Sequence, residues 1–154
     1  MRKIAQILLA VVAAAGMSAA AARDENPKFP IKTALDKGQQ YKDKVGSDIS
    51  MYFGAQKTPS VEKRIGEWTS TRNSNSANKP DQDACDIAFI SAVIALQERA
   101  RKEGGNAVIN IKSLSKVGDI DSASEYICTS GRVIARVQLR GTAVTLGKAS
   151  AKKK

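Results

Sequence analysis

Residues 100–113 read ARKEGGNAVINIKS: a charged helix end runs into two glycines, and an alternating apolar segment follows. Gly104, Gly105 and Asn106 have two readings. They form either a phosphate-cradling loop, which would bring nucleotide chemistry, or the corner between a helix and a strand. Chain order separates the two. A phosphate loop follows a strand and opens a helix, so that amide N–H groups point at the anion. Here a helix precedes the glycines and a strand follows, so a phosphate would face the negative end of the helix dipole. The stretch reads as a helix-to-strand corner.

Upstream of the corner, Ile87, Phe89, Ile90, Val93, Ile94, Leu96 and Ala100 recur at three- and four-residue spacing, an apolar stripe suited to lying on a sheet. Asp81 or Asp83 is placed to cap this helix, with Asp83 and Asp86 bringing negative charge to its first turn. Arg99, Arg101 and Lys102 occupy its last turn, and Gly104 or Gly105 supplies the left-handed stop. Downstream, Ala107, Ile109 and Ile111 face one way, and Val108, Asn110 and Lys112 the other. SKVGDIDSAS reads as a loop, and EYICTSGRVIARVQLRGTAV as strand sequence interrupted at Gly131. Val133, Ala135, Val137 and Leu139 form its expected buried face, while Arg132, Arg136 and Arg140 share the other with Ile134 and Gln138. An arginine row of this kind is ordinarily a solvated sheet face. It is also the best anion-contact surface in the folded part.

Before the helix, SDISMYFGAQ alternates, with Ile49, Met51 and Phe53 on one face, and ends at Gly54 and the Thr58–Pro59 turn. VEKRIGEWTSTR reads as a second strand anchored by Trp68, with Gly66 marking a bulge or a close backbone approach. NSNSANKPDQ is a loop by composition. The order is strand, strand, helix, then two or three strands. It predicts an α+β domain: a small, mostly antiparallel sheet with one long helix packed on it.

The flanks set the compartment. MRKIAQILLAVVAAAGMSAAAAR has the basic start, apolar run and small-residue end of a secretory signal, with cleavage expected after Ala22. Its apolar core is too short for a good membrane span, and no nearby cysteine offers a lipidation site. The expected organisation is a signal over 1–22, a polar flexible lead-in over 23–46, one domain over 47–146 and a basic disordered tail over 147–154. The expected location is the periplasm, without a membrane anchor.

The chain carries a net charge of +10 from 25 basic and 15 acidic residues. Loss of Arg2 and Lys3 leaves 23 against 15, or +8. That excess favours anionic partners, although Lys148 and Lys152–Lys154 belong to the solvated tail. In an exported chain, the two cysteines, Cys85 and Cys128, favour a disulfide over a metal site or a reactive thiol.

Chemistry beyond binding finds little support. There is no histidine, which removes every imidazole-based triad or dyad. Ser60–Lys63 and Ser113–Lys116 match S-x-x-K without partner motifs. Glu67, Asp119, Asp121 and Glu125 show no pairing for acid–base work. In GTAVTLGKAS, five residues separate Gly141 from Gly147 where a P-loop needs four, and Ala149 replaces the Ser/Thr after the lysine. No catalytic residues and no cofactor are expected. Nucleic-acid binding would rest on charge alone, with few aromatics for stacking, and is not expected.

ALQERARKEGGNAVINIKS followed by EYICTSGRVIARV resembles the core of the RcsF/YbjQ-like superfamily over about residues 82–141. The shared helix end is A-x-x-x-G-[AG]-N-A-V, here Ala100, Gly104, Gly105, Asn106, Ala107 and Val108, with a later strand carrying Cys128 and Gly131. In the lipoprotein sensor of that superfamily, a cysteine before the helix pairs with one on the later strand, which implies a Cys85–Cys128 disulfide here. YFGAQKTP and RIGEW are similar to a group of small exported members often labelled an excinuclease ATPase subunit. The absence of a Walker motif, the short chain and the export signal give that label no support. The lipidated cysteine and second disulfide of the sensor are missing, so its anchoring does not carry over. Some YbjQ-type relatives are labelled heavy-metal binders, but a chain without histidine and with its cysteines paired offers little to a soft metal, and no metal is expected. The resemblance implies a periplasmic binding or accessory protein that contacts an envelope protein or an anionic envelope component. Because relatives form rings, a self-assembling homo-oligomer is the alternative.

Overall fold

The computed structural model describes residues 25–38 and 45–148. The expected signal over 1–22 lies outside the described residues, as does the basic tail beyond Lys148.

The architecture is α+β with mixed sheets and two helices. In chain order the elements are β1 (Lys28–Pro30), α1 (Ile31–Gly38), β2 (Ser50–Phe53), β3 (Val61–Asn75), α2 (Asp81–Lys102), β4 (Ala107–Leu114), β5 (Glu125–Ile127), β6 (Thr129–Ser130) and β7 (Ile134–Leu146). The main sheet runs β2–β4–β7–β3, with β6 added to β7, and β1 pairs with β5 in a separate two-stranded ribbon. The expectation of one helix on a mostly antiparallel sheet is corrected in two places. β2 and β4 are parallel, because the connection through β3 and α2 returns the chain in the same direction. A second helix, α1, lies beside α2.

That helix falls inside the stretch expected to be a flexible lead-in. Ile31 and Ala34 are buried at i, i+3 spacing, and Gly38 brings the two helices together; a Cβ there would lie 3.1 Å from Ile90 Cδ1. Phe29 packs toward Tyr126, with ring centroids 6.1 Å apart. These few apolar residues dock the segment, and Lys37 adds ion pairs to Asp83 and Asp86 of α2.

The corner folds as read, and its chemistry is now visible. Gly104 has φ +80°, its N–H meets Arg101 O at 3.1 Å, and the Gly105 N–H meets Ala100 O at 2.8 Å. This is a Schellman closure, which satisfies carbonyls that the helix end leaves unpaired. The N-terminus departs from expectation: Pro80 occupies the cap without a side-chain cap, Asp81 and Asp83 sit in the first turn, and Asp86 is buried.

α2 lays Phe89, Val93, Leu96 and Ala100 on one sheet face, against Val108, Ile111, Val137 and Leu139. β3 runs to Asn75, three residues into the expected loop, because it is held in register against β7 as far as Asn75 and Ile134. Gly66 lies at a register shift under the Trp68 ring; a Cβ would come within 2.6 Å of it. Val133, expected in the buried face of β7, is exposed because the strand begins at Ile134.

The expected alternation of β4 breaks at Asn110. Its φ is +52°, and the register to β7 shifts between Ile109 and Lys112. A bulge of this kind transfers later side chains to the other face. Ile111 therefore joins the main core with Val108, while Ala107 and Ile109 form a smaller cluster with Val144 and Leu146.

Candidate functional site

On the face of the main sheet opposite α2, β7 is partly open as far as Thr142, beyond which Val144 and Leu146 are buried in the smaller cluster. The two-residue period puts Arg136, Gln138, Arg140 and Thr142 on that face, alternating with buried Ala135, Val137, Leu139 and Ala143. The register sets their neighbours. Arg136 stands opposite Asn73 and Thr129, Gln138 opposite Thr71 and Leu114, Arg140 opposite Thr69 and Lys112, and Thr142 opposite Glu67 and Ile109. The result is a set of hydroxyls, amides and cations, interspersed with the Glu67 carboxylate and the buried side chains of Leu114 and Ile109.

Two depressions interrupt this array. The first, about 500 Å³, lies beside Arg136 and Gln138 and is rimmed by Lys116, Val117 and Ile134. Val117 is 68% and Ile134 51% exposed, so part of its rim is apolar. Arg136 Nε donates to Asn73 Oδ1 at 3.0 Å, which fixes the guanidinium along the face. The second depression, about 430 Å³, gathers Arg64, Lys112 and Arg140 with Asn110, Thr142, Glu67 and Asp121. Arg132, expected in the same row, instead lies in the connection between β6 and β7. The structure thus brings Arg136 and Arg140 onto one face and leaves Arg132 beyond its end. Arg64 and Lys112 were not grouped with them from the sequence, because only the three-strand register joins them.

The corner residues have structural partners. Asn106 donates through Nδ2 to Leu146 O at 3.0 Å and accepts from the Leu146 N–H at 2.8 Å, so one side chain continues the strand ladder. Its backbone N–H meets Val144 O at 3.0 Å, and its carbonyl accepts from Ser50 N–H at 3.0 Å. Ala100, Ala107 and Val108 are buried. A Cβ on Gly105 would lie 3.0 Å from Val144 O, so the backbones approach closely there.

Cys85 and Cys128 are joined by a disulfide, both buried, tying the first turns of α2 to the β5–β6 segment. Beside it lies a polar network that the sequence did not reveal. Tyr126 donates to Asp86 Oδ1 at 2.6 Å, and Lys37 Nζ lies 2.8 Å from both Asp86 Oδ2 and Asp83 Oδ1. Burial, then the Asp86 carboxylate, pushes the Tyr126 hydroxyl far above its ordinary range. Hydrogen bonds to Asp83 and Asp86 raise the Lys37 ammonium. At the other end of α2, Arg101 forks onto Asp48 at 2.7 and 2.8 Å and holds its carboxyl below the usual range. Among the described residues, no group of three or more cysteine, aspartate or glutamate side chains is placed to hold a metal ion.

No family model and no curated protein sequence matches this chain. Among the described residues, no helix is long and apolar enough to cross a membrane. Chemically, the outer face offers hydrogen-bond donors and cations for an extended polar or anionic surface.

Proposed function

We propose that this chain is a non-enzymatic, exported periplasmic binding or accessory module of RcsF/YbjQ-like type, which contacts an envelope component through the outer face of its sheet. One observation carries the reading: the face that α2 does not cover aligns Arg136, Arg140 and Lys112 with hydroxyl and amide side chains. Sheet stability alone does not call for such a concentration of cations. The disulfide and the resemblance at the corner support export and kinship.

Binding to isolated envelope fractions tests the reading. Replacing Arg132, Arg136 and Arg140 by glutamine should weaken binding and flatten its salt dependence, because exposed charge contacts are screened. Unchanged binding with unchanged salt dependence refutes the charge-contact reading.

A second reading, self-assembly, has its own observation. β3 runs for 15 residues with β7 on one side and, among the described residues, no strand on the other. A long open edge is a template for pairing with a second copy. Sedimentation across concentration decides: a single monomeric species removes this reading.

A further inference from the structure

We propose that the depression between Arg64, Lys112 and Arg140 binds a phosphate monoester carried on a sugar-sized group. The inference rests on reading the outer sheet face as an anion-contact surface, and it narrows that reading to one place and one chemistry.

Several local features work against sheet stability, and all of them converge here. Lys112 and Arg140 are direct partners across β4 and β7. Like charges in that relation repel. Arg64 adds a third cation from β3 and has no side-chain partner among the described residues. The balancing carboxylates are exposed: Asp121 pairs with Lys112 at 3.1 Å, and Glu67 stands 3.9 Å from Arg140, both pairs open to solvent. Exposed pairs of this kind contribute little to stability and yield to a better anion. Asn110 occupies the left-handed region at φ +52° in the middle of a strand, at the bulge. Asn110 and Thr142 both line the depression. Strain that persists at one spot, alongside unbalanced charge, marks a place shaped for something other than the fold.

The charge count selects the ligand class. Three cations against two carboxylates leave a single positive excess. A dianion that displaces both carboxylates then meets all three cations, whereas a carboxylate ligand brings only one charge. Arginine forks match adjacent phosphate oxygens in a bidentate way. The depression of about 430 Å³ falls in the range of small-molecule sites, leaving room beyond a phosphate for a polar carrier. Asn110 and Thr142 supply neutral partners for its hydroxyls. A long polyanion would need a continuous basic track, and the depression is bordered instead by the neutral Gly54–Ala55 turn.

The test is a titration of the purified protein followed by amide chemical shifts, at low salt. The probes are glucose 6-phosphate, glucose and glucuronate, with phosphatidylcholine vesicles containing or lacking phosphatidic acid. Saturable shifts centred on Asn110, Lys112, Arg140 and Thr142 are expected with a phosphomonoester probe and not with glucose or glucuronate. Response to glucose 6-phosphate identifies a soluble source; response to phosphatidic acid vesicles alone keeps the phosphomonoester contact, assigns it to a lipid headgroup and overturns the sugar-sized carrier. Arg64→Gln and Lys112→Gln should each weaken binding roughly tenfold, as loss of a charge-assisted contact does. Lys79→Gln, remote from the depression, should not. Asn110→Gly separates ligand contact from structure: glycine accepts the positive φ, so the melting temperature should hold or rise while binding weakens. Absence of binding to both phosphomonoester probes, or binding indifferent to Arg64→Gln and Lys112→Gln, overturns the site. If envelope binding still depends on Arg136 in that case, the site falls and the broader face reading stands. Phosphomonoester binding without any envelope binding leaves the site standing and removes the broader reading.

Discussion

Replacing Tyr126 by phenylalanine removes one oxygen from a stacked ring and should still be among the costlier single-atom changes in this domain. Tyr126 is 1% exposed and its ring stacks on Phe89 with centroids 4.3 Å apart, contacts that phenylalanine keeps. What disappears is the 2.6 Å hydrogen bond to Asp86 Oδ1, a carboxylate itself 1% exposed. A hydrogen bond to a charged group contributes about 1.5–3 kcal/mol, and a buried carboxylate left short of a donor adds a desolvation penalty. Lys37 still faces Oδ2 at 2.8 Å, which limits the damage. The expected loss is therefore about 2–3 kcal/mol at neutral pH, read by urea denaturation with the disulfide intact. The urea slope should not change, since the exposed area on unfolding is the same. Combining Tyr126→Phe with Lys37→Met should give a non-additive loss, because both side chains act on one carboxylate. A loss below about 0.5 kcal/mol with an unchanged slope would refute the reasoning; water would then replace the Tyr126 hydroxyl at Asp86.

The same network sets a pH limit. Lys37 and Tyr126 both keep their protons in the folded chain at pH values where the unfolded chain, near pH 10, begins to release them. The native state then binds more protons, so stability should be full below about pH 10 and fall as pH rises above it; Tyr126→Phe should make that alkaline decline shallower. Replacing Cys85 and Cys128 by alanine opens a cross-link spanning 43 residues, for which chain entropy predicts a loss of about 4 kcal/mol, read from the denaturation midpoint; a thiol count should find none reactive in the native protein and two after denaturation with reductant. At the corner, Gly104→Ala should lose about 1 kcal/mol from its positive φ, and Gly104→Asn less. Gly105→Ala should lose about 1–3 kcal/mol for a different reason, since its Cβ meets the Val144 carbonyl; equal losses for Gly104→Ala and Gly104→Asn would refute the conformational account.

The parts legible in the sequence were those with a period. The α2 stripe runs for six turns, and its stop signal is local, so helix, corner and following strand could be read from residues 81–113. The alternation of Arg136 and Arg140 on β7 was legible for the same reason, whereas Arg132 falls before the strand begins. Where one residue alters the period, the reading failed: Asn110 carries no strong signal of a bulge, yet its positive φ moves Ile111 to the opposite face. α1 was lost because eight residues give a helical period too little length, and its lysines masked Ile31 and Ala34. The full length of β3 was lost because Asn73 and Asn75 are turn formers by propensity, and their strand conformation comes from pairing with β7. Asp86 looked like first-turn charge, since only tertiary structure reveals Tyr126 and Lys37 beside it. The second depression needs residues from three strands, and strand register is not local information.

Motif and surface carry different burdens in this molecule. Each residue of the corner motif is consumed by the fold. Ala100 accepts the closing hydrogen bond, Gly104 makes the left-handed turn, Gly105 admits the Val144 carbonyl, Asn106 clamps Leu146, and Ala107 and Val108 fill the interior. None of these side chains is left over for a ligand. The motif therefore argues for a shared fold and says little about what the chain binds. Recognition has to come from residues that the fold does not use, and those lie on the far side of the sheet. There, like charges face each other across β4 and β7, and a non-glycine residue holds a positive φ in mid-strand. A sheet selected only for stability would discard both features. Two chains with the same corner and different outer faces should accordingly fold alike and bind differently, and exchanging the β4 and β7 face residues between them should transfer the binding without moving the corner.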